Sequence, residues 1–300
     1  MTDTCQPVLV IGATGRFAGL VVPELQRRGA TVRAMIRDPK KAEGVRARGA
    51  SEIVVGDLRD RTSVEAAVNG AGGVFYLGPA FAPDEAAMGV SVVEASVRAG
   101  VQRFAFSSVI QPTNVGLKNH ASKVPVEESL YSSSLQYTIL HPANFMQNIA
   151  GAWPAIVASG HYKEPFPTTA RIARVDYRDV AELAAIALTT SRLAYATLDL
   201  CSGMFNRDEI AAMMSEALGK RIEAGEIGFD EWTRRAQLPY SDDQLRLLRH
   251  VHAHYAKYGL GGNDMTLRAA LGREPRSLQD YIGELVRQTV NNADAAAGPV

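Results

Sequence analysis

Six short apolar runs punctuate the first 141 residues: Val8–Ile11, Thr31–Ile36, Glu52–Val55, Gly73–Leu77, Arg103–Ser107 and Tyr137–His141. Their Val, Ile, Phe and Tyr content matches strands buried on both faces of a parallel sheet. Between them lie longer amphipathic stretches that read as helices: Arg16–Arg28, Pro39–Arg48, Arg61–Asn69, Asp84–Ala99 and roughly Ser122–Ser133. Leu20, Val21 and Leu25, and again Val64, Ala67 and Val68, keep the three-to-four spacing of one buried helix face. Strand–helix–strand repeats of this kind need right-handed crossovers, which predicts an α/β fold built on a doubly wound parallel sheet.

Beyond Pro142 the rhythm loosens. Arg171–Val175 and Ala196–Cys201 read as strands, and Asp179–Leu188, Arg207–Ala217, Ser241–Tyr258 and Ser277–Val286 as helices. The expected organisation is a nucleotide-binding domain over 1–142 and a smaller α/β substrate lobe over 143–290, intertwined with it. An Ala- and Asn-rich stretch over 291–300 reads as a disordered tail.

The sharpest local signal is Val8-Leu9-Val10-Ile11-Gly12-Ala13-Thr14-Gly15-Arg16-Phe17-Ala18-Gly19. A buried strand runs into a glycine-spaced turn and then into a helix expected to start near Arg16. Gly12 permits the turn, Gly15 lets backbone approach a pyrophosphate, and Ala18 lets helix and strand pack closely. Amides at a helix start favour phosphate, so Gly12, Thr14, Gly15, Arg16, Phe17 and Ala18 are candidate cofactor ligands in a Rossmann-type domain. The spacing is Gly-x-x-Gly-x-x-Ala rather than the Gly-x-Gly-x-x-Gly of typical dehydrogenases.

The second strand ends in Met35-Ile36-Arg37-Asp38-Pro39-Lys40-Lys41. A carboxylate at this place selects NAD through the ribose 2′-hydroxyl, whereas Arg37, seconded by Lys41, suits a 2′-phosphate and favours NADP(H). Asp38 reaching the ribose, with Arg37 a solvated charge, is the competing arrangement. After the third strand, Asp57 can accept from an adenine amino group with Leu58 against the ring, or close an ordinary polar turn. Gly78-Pro79 after the fourth strand is placed beneath the nicotinamide ribose.

Composition narrows the partners. Lys and Arg number 32 against 32 Asp and Glu, a balance that leaves no electrostatic footprint for nucleic acid or an anionic membrane. The two cysteines, Cys5 and Cys201, make neither a disulfide framework nor a zinc site. The apolar run after Pro7 stops at Gly12, too short for a signal core or a span, so a cytoplasmic protein acting on a small-molecule substrate is expected. A homodimer or a protein partner is left open.

Together these residues resemble the NmrA-like branch of the atypical short-chain dehydrogenase/reductases. The resemblance is carried by Gly12-Ala13-Thr14-Gly15, Arg37-Asp38-Pro39, Gly56-Asp57-Leu58, Phe106-Ser107-Ser108, His120-x-x-Lys123, Glu127, Tyr137-Thr138-Ile139-Leu140, Pro142-x-x-Phe145-Met146-x-Asn148 and Asp176-x-x-Asp179-Val180-Ala181. It spans about residues 8 to 220 and implies that Lys123 contacts the nicotinamide ribose, with Pro142, Asn144 and Phe145 lining the nicotinamide end. The family often has Arg before that proline; this chain has His141. The family holds NADPH-dependent reductases and also non-catalytic redox sensors that bind protein partners.

Whether this chain turns over rests on its proton donor. Typical short-chain reductases use a Tyr four residues before the Lys, a place held here by Asn119, which cannot act as a general acid. His120 and Lys123 are the candidate catalytic residues, each able to protonate a substrate after hydride transfer. Pro125 prefers a first helical turn, which puts His120 and Lys123 at the helix entry. Lys123 serving only as a ribose ligand is the opposing reading. Ser107 is grouped with the cofactor ligands, and with Ser108 either orients a carbonyl or closes the strand, while Tyr76 belongs to the core. His250, His252 and His254 have metal-capable spacing but lack a following Glu or Cys, so no metal is expected. Their helix is read as a cover over the substrate pocket or as a solvated surface helix. The expected function is hydride transfer from NADPH to a small carbonyl, quinone or enone. The alternative is a cofactor sensor without turnover.

Overall fold

The computed structural model of the chain describes residues 6–297, with side chains through 291. Cys5 and the rest of 1–5 lie outside the described residues, as does the end of the expected tail, 298–300. The chain divides into two compact units, 1–142 with 177–199 and 143–176 with 200–300. The segment 177–199, which the sequence reading assigned to the second lobe, therefore returns to the first.

The first unit is built on β1 (Val8–Ile11), β2 (Val32–Ile36), β3 (Glu52–Val55), β4 (Gly73–Tyr76), β5 (Arg103–Ser107) and β6 (Gln136–Pro142). These strands pair in parallel in the order β6-β5-β4-β1-β2-β3, the doubly wound order whose switch point lies between β1 and β4. All four β1 residues and all four β4 residues are buried, which explains the unbroken apolar runs. Helices Arg61–Val68, Glu85–Arg98 and Val124–Tyr131 pack one sheet face through Val64, Val92, Val93, Val126 and Leu130. The helices Val21–Arg27 and Tyr177–Thr189 pack on one another, the latter also against β4, β5 and β6. Burying side chains of this kind contributes roughly 1.5–3 kcal/mol each.

In the second unit, β7 (Asn144–Phe145), β8 (His161–Glu164) and β9 (Ile172–Val175) come first. After β10 (Ala196–Leu200), the strand beside β6 in the large sheet, come β11 (Gly203–Phe205) and β12 (Glu223–Glu226). β9 lies between an antiparallel β11 and a parallel β7, and β12 pairs in parallel with β8. Its core gathers Met146, Ile149, Trp153, Ile210, Met214 and Ile282.

Three helices differ from expectation. The first does not begin at Arg16: a 3-10 turn spans Ala18–Leu20 and the α-helix runs Val21–Arg27. Pro23 lacks an N–H and belongs in a first turn, which moves the helix start downstream. The single helix expected over Ser122–Ser133 is a short turn, Lys118–Ala121, followed by Val124–Tyr131 with Pro125 in its first turn. The last helix runs Leu278–Ala297, so residues 291–297 continue a helix where a disordered tail was expected. Alanine is the strongest helix former, and the residues taken for a tail carry the helix on.

Candidate functional site

The loop after β1 turns at Gly12, whose φ of +84° is accessible to glycine at little cost. A Cβ there would also stand 3.3 Å from the Ala18 Cβ, so Gly12 and Ala18 set the closeness of strand and helix. The Gly15 amide donates to the Gly12 carbonyl at 2.8 Å, closing the turn. Arg48 Nη1 donates to the Ala13 carbonyl at 3.1 Å, a clamp from the far end of the next helical segment that the sequence did not suggest. Thr14 is half-buried and Gly15 and Arg16 are exposed, with the Arg16 guanidinium 4.7 Å from the Phe17 ring centre. The loop is thus a fixed, narrow, backbone-lined cradle at the carboxyl end of β1, where open α/β sheets bind ligands.

Arg37, just past β2, is exposed and makes no hydrogen bond or ion pair among the described residues. Lys41 is exposed close by in sequence. The Asp38 carboxylate accepts from the Lys40 amide at 3.0 Å and caps the turn Pro39–Lys41. Its side chain thus serves the local backbone, and the free guanidinium is the group offered outward. Asp57 accepts from the Arg59 amide at 2.9 Å, the polar turn weighed as its alternative, and Leu58 is half-buried beside it.

Lys123, at the entry to helix Val124–Tyr131, is buried. Its ammonium pairs with Glu85, which also accepts from Ser122 Oγ at 2.9 Å. Gly78 makes room for that carboxylate, since a Cβ there would stand 3.0 Å from Glu85 Oε1. Pro79 is exposed. Burial pushes the Lys123 ammonium down to about 8, against the opposing pull of the Glu127 carboxylate. Glu85, 38 residues away in the first turn of its own helix, is not among the residues the sequence singled out. Tyr76 stacks on Phe106 in the core as expected, and its buried hydroxyl has no hydrogen-bond partner among the described residues. Burial raises that phenol, keeping it a neutral O–H. His120 is buried, its Nδ1 3.1 Å from the Gln111 carbonyl.

Ser107 accepts from the Tyr177 hydroxyl at 3.0 Å, and the Tyr177 ring lies 5.4 Å from that of Phe17. The returning segment therefore braces both the loop after β1 and the end of β5. Ser108 instead donates to Glu127, whose Oε1 lies 3.0 Å from His141 Nε2, while His141 Nδ1 lies 3.0 Å from Asp199. A cavity of about 650 Å³ borders this chain, lined by Gln111, Tyr131, Glu127, Glu128, His141 and Asp199.

Burial opposes charge on His141, but the carboxylates Glu127 and Asp199 outweigh it and raise the imidazole above its ordinary value. A raised folded-state value stabilises the fold below the unfolded-state value and loses that contribution as pH rises through the folded one. Urea unfolding of the protein and of His141→Gln at pH 6 and pH 9 should therefore show a gap between them that is smaller at pH 9. An unchanged gap contradicts the charged pairing.

Of the residues expected at the nicotinamide end, Pro142 closes β6 in the first unit, and Asn144 and Phe145 form β7 in the second. The Asn144 side-chain carbonyl accepts from Arg174 at 3.2 Å. The three histidines diverge: His250 is exposed and bonded to the Arg246 carbonyl, His254 packs at a tilt against Tyr258, and His252 is buried among aromatic rings. The helix buries Val251, His252 and Tyr255 and half-buries Leu245, Leu247, Leu248 and His254, so it is more than a solvated surface helix.

The model of the NmrA-like family matches residues 4–282. The chain belongs to the NmrA-like family. Among its relatives is the NAD(P)H azoreductase of Xenophilus azovorans, 31% identical over 225 residues, 72% of this chain and 75% of that protein. The fold is shared with a triphenylmethane reductase of Citrobacter sp. solved with NADP(H), at TM-score 0.80, 20% identity and coverage of 94% and 99% of the two chains. It is shared equally with an NADPH-dependent quinone oxidoreductase of Escherichia coli solved with NADPH, at TM-score 0.79, 20% identity and coverage of 93% and 99%. Among the described residues of this NmrA-like chain, no helix is long and apolar enough to cross a membrane.

Proposed function

We propose that this chain is an NADPH-dependent reductase that transfers a hydride to a small quinone, enone or carbonyl compound. The observation that carries the reading is the set of strand ends in the first unit: the cradle at Gly12 and Ala18, the uncommitted Arg37, and the buried Lys123 all sit at carboxyl ends of parallel strands or on the helix entries that follow them. The residues present fit a dinucleotide, because the cradle admits backbone amides to a pyrophosphate and a side chain at Gly12 would fill it. When bound, NADPH supplies the hydride.

The chain's own part is binding, orientation and one proton. Gly12, Thr14, Gly15, Arg16, Phe17 and Ala18 hold the pyrophosphate. Arg37 and Lys41 hold the 2′-phosphate, and Asp57 and Leu58 the adenine. Gly78, Pro79, Ser107 and Pro142 border the nicotinamide half. Lys123, with a value near 8, carries its proton at neutral pH yet releases it more readily than an exposed lysine, which suits a general acid where tyrosine is missing. Glu85 orients the ammonium, and the Nζ proton would pass to the substrate oxygen, or to the carbon beside the carbonyl, on which the negative charge develops during reduction. His120 flanks the same helix entry.

The relatives reduce azo compounds, triphenylmethane dyes and quinones by name, which supports an acceptor with a conjugated, electron-poor system. The test is NADPH oxidation across quinones, enones and aldehydes. Turnover on one class, lost in a variant of Lys123, supports the reductase. Tight NADPH binding without turnover on any class overturns it in favour of a cofactor sensor.

A further inference from the structure

The second unit buries two guanidinium groups, and its interior supplies a single carboxylate to both. Arg174 on β9 and Arg207 at the start of helix Arg207–Leu218 are each 2% exposed. Glu164 Oε2 stands 3.6 Å from Arg174 Nη2 and 3.6 Å from Arg207 Nε. Arg174 Nη1 donates to Asn144 at 3.2 Å and its Nη2 to Tyr162 at 3.4 Å. Arg207 Nη1 is spent on the Phe166 and Gly225 carbonyls at 2.8 and 2.9 Å, and its guanidinium lies 4.5 Å from the Phe166 ring centre.

After these bonds are drawn, several donors are left over. Arg174 Nε, Arg207 Nε and Arg207 Nη2 are buried without a hydrogen-bond partner among the described residues. His252 Nδ1, a donor in one tautomer of the ring and an acceptor in the other, is likewise buried without a partner among the described residues, on a ring that packs 5.7 Å from Phe166 and 6.3 Å from Tyr255. Burial pushes the His252 imidazole down to about 4, so this ring is neutral and the cluster holds two positive charges against one negative. Buried donors are ordinarily satisfied, and a buried charge without a counter-ion is strongly disfavoured. A cluster with spare N–H groups and surplus positive charge has the composition of an oxyanion site.

The way in is visible from the same residues. His252 is covered by Phe229 and Trp232, at 5.6 and 4.8 Å between ring centres, from the helix Phe229–Ala236. That helix buries none of its residues and is tied down by exposed contacts, Arg249 over the Phe229 ring and the Arg249–Asp230 pair. Exposed pairs of this kind hold a segment weakly. Glu164 opens the cluster on another side, with 21% of its side chain exposed.

We propose that Arg174, Arg207 and His252 form a binding site for an oxyanion, the carboxylate or phosphate group of a small molecule, inside the second unit. The site does not depend on the reductase reading, and its test requires no NADPH.

Both tryptophans, Trp153 and Trp232, lie in the second unit, so intrinsic fluorescence reports there. The protein is titrated with sodium succinate and, separately, with sodium phosphate, each against sodium chloride at matched ionic strength. A Trp153→Phe variant assigns the signal to Trp232. The expected result is a saturable change with one or both oxyanions and none with chloride, weakened about tenfold or more in Arg207→Met, as loss of a charge-assisted bond requires. Saturation by succinate alone makes the ligand a carboxylate, and by phosphate alone a phosphate ester. Should Arg207→Met fail to fold, Arg207→Lys keeps the charge without the planar fork and is expected to weaken binding. A change no different from chloride in the unmodified protein, or one that both Arg207 variants leave intact, overturns the proposal.

Discussion

Lys123→Met is expected to lower turnover by roughly 10²- to 10⁴-fold, the range a positioned general acid contributes, while NADPH still binds within a few-fold of the parent protein. The asymmetry follows from where the ammonium sits. It pairs with Glu85 in the interior, and burial holds it near 8, so its proton is available to a substrate at neutral pH. In the parent protein kcat/KM should accordingly fall as pH rises through about 8, because the group that donates has lost its proton. That limb of the profile should be missing in the variant. Removing the ammonium leaves Glu85 buried without its counter-ion, which destabilises the fold in its own right. The paired replacement Lys123→Met with Glu85→Gln removes both charges and separates the two effects. A loss of turnover matched by an equal loss of NADPH affinity would instead make Lys123 a ribose ligand only.

Arg37→Ala is expected to weaken NADPH binding by about 10- to 100-fold and to leave NADH unaffected, since a charge-assisted bond is worth roughly 1.5–3 kcal/mol. The prediction is sharp because Arg37 has no other employment among the described residues, whereas Asp38 is bonded to the Lys40 amide. Fluorescence titration with the two cofactors measures it. Equal weakening of both would mean that Arg37 supports the loop and does not read the 2′-phosphate.

What could be read from the sequence follows from how each element is stabilised. β1 and β4, in the middle of the large sheet, are buried on both faces and so announce themselves as unbroken apolar runs with no need of tertiary context. The cradle was legible because Gly12 and Ala18 are local to one turn. The second unit was harder. β7 is two residues long, β12 reads Glu-Ala-Gly-Glu, and Asn148–Ser159 carries Pro154 inside a helix. Helix Phe229–Ala236 fully buries none of its residues; its apolar edge, Phe229 and Trp232, is only half-buried and packs on His252, 20 residues further on.

Side-chain partnerships across long separations were the other blind spot. Glu85 finds Lys123, Arg48 finds Ala13, and Asp199 finds His141 only once the crossovers are in place. The substitution at His141 was visible as a departure from the family, yet its consequence, a ring held between two carboxylates, depends on a strand 58 residues further on. Tyr177 likewise joins the loop after β1 only because its segment returns to the first unit.

The most direct measurement is an equilibrium titration of the protein with NADPH and with NADH, followed by cofactor fluorescence. Saturable, stoichiometric binding of NADPH, about tenfold or more tighter than NADH, is expected from the cradle at Gly12 together with the free guanidinium of Arg37. Absence of saturable binding by either dinucleotide would contradict the assignment of the strand ends as a cofactor site, and the reductase with it.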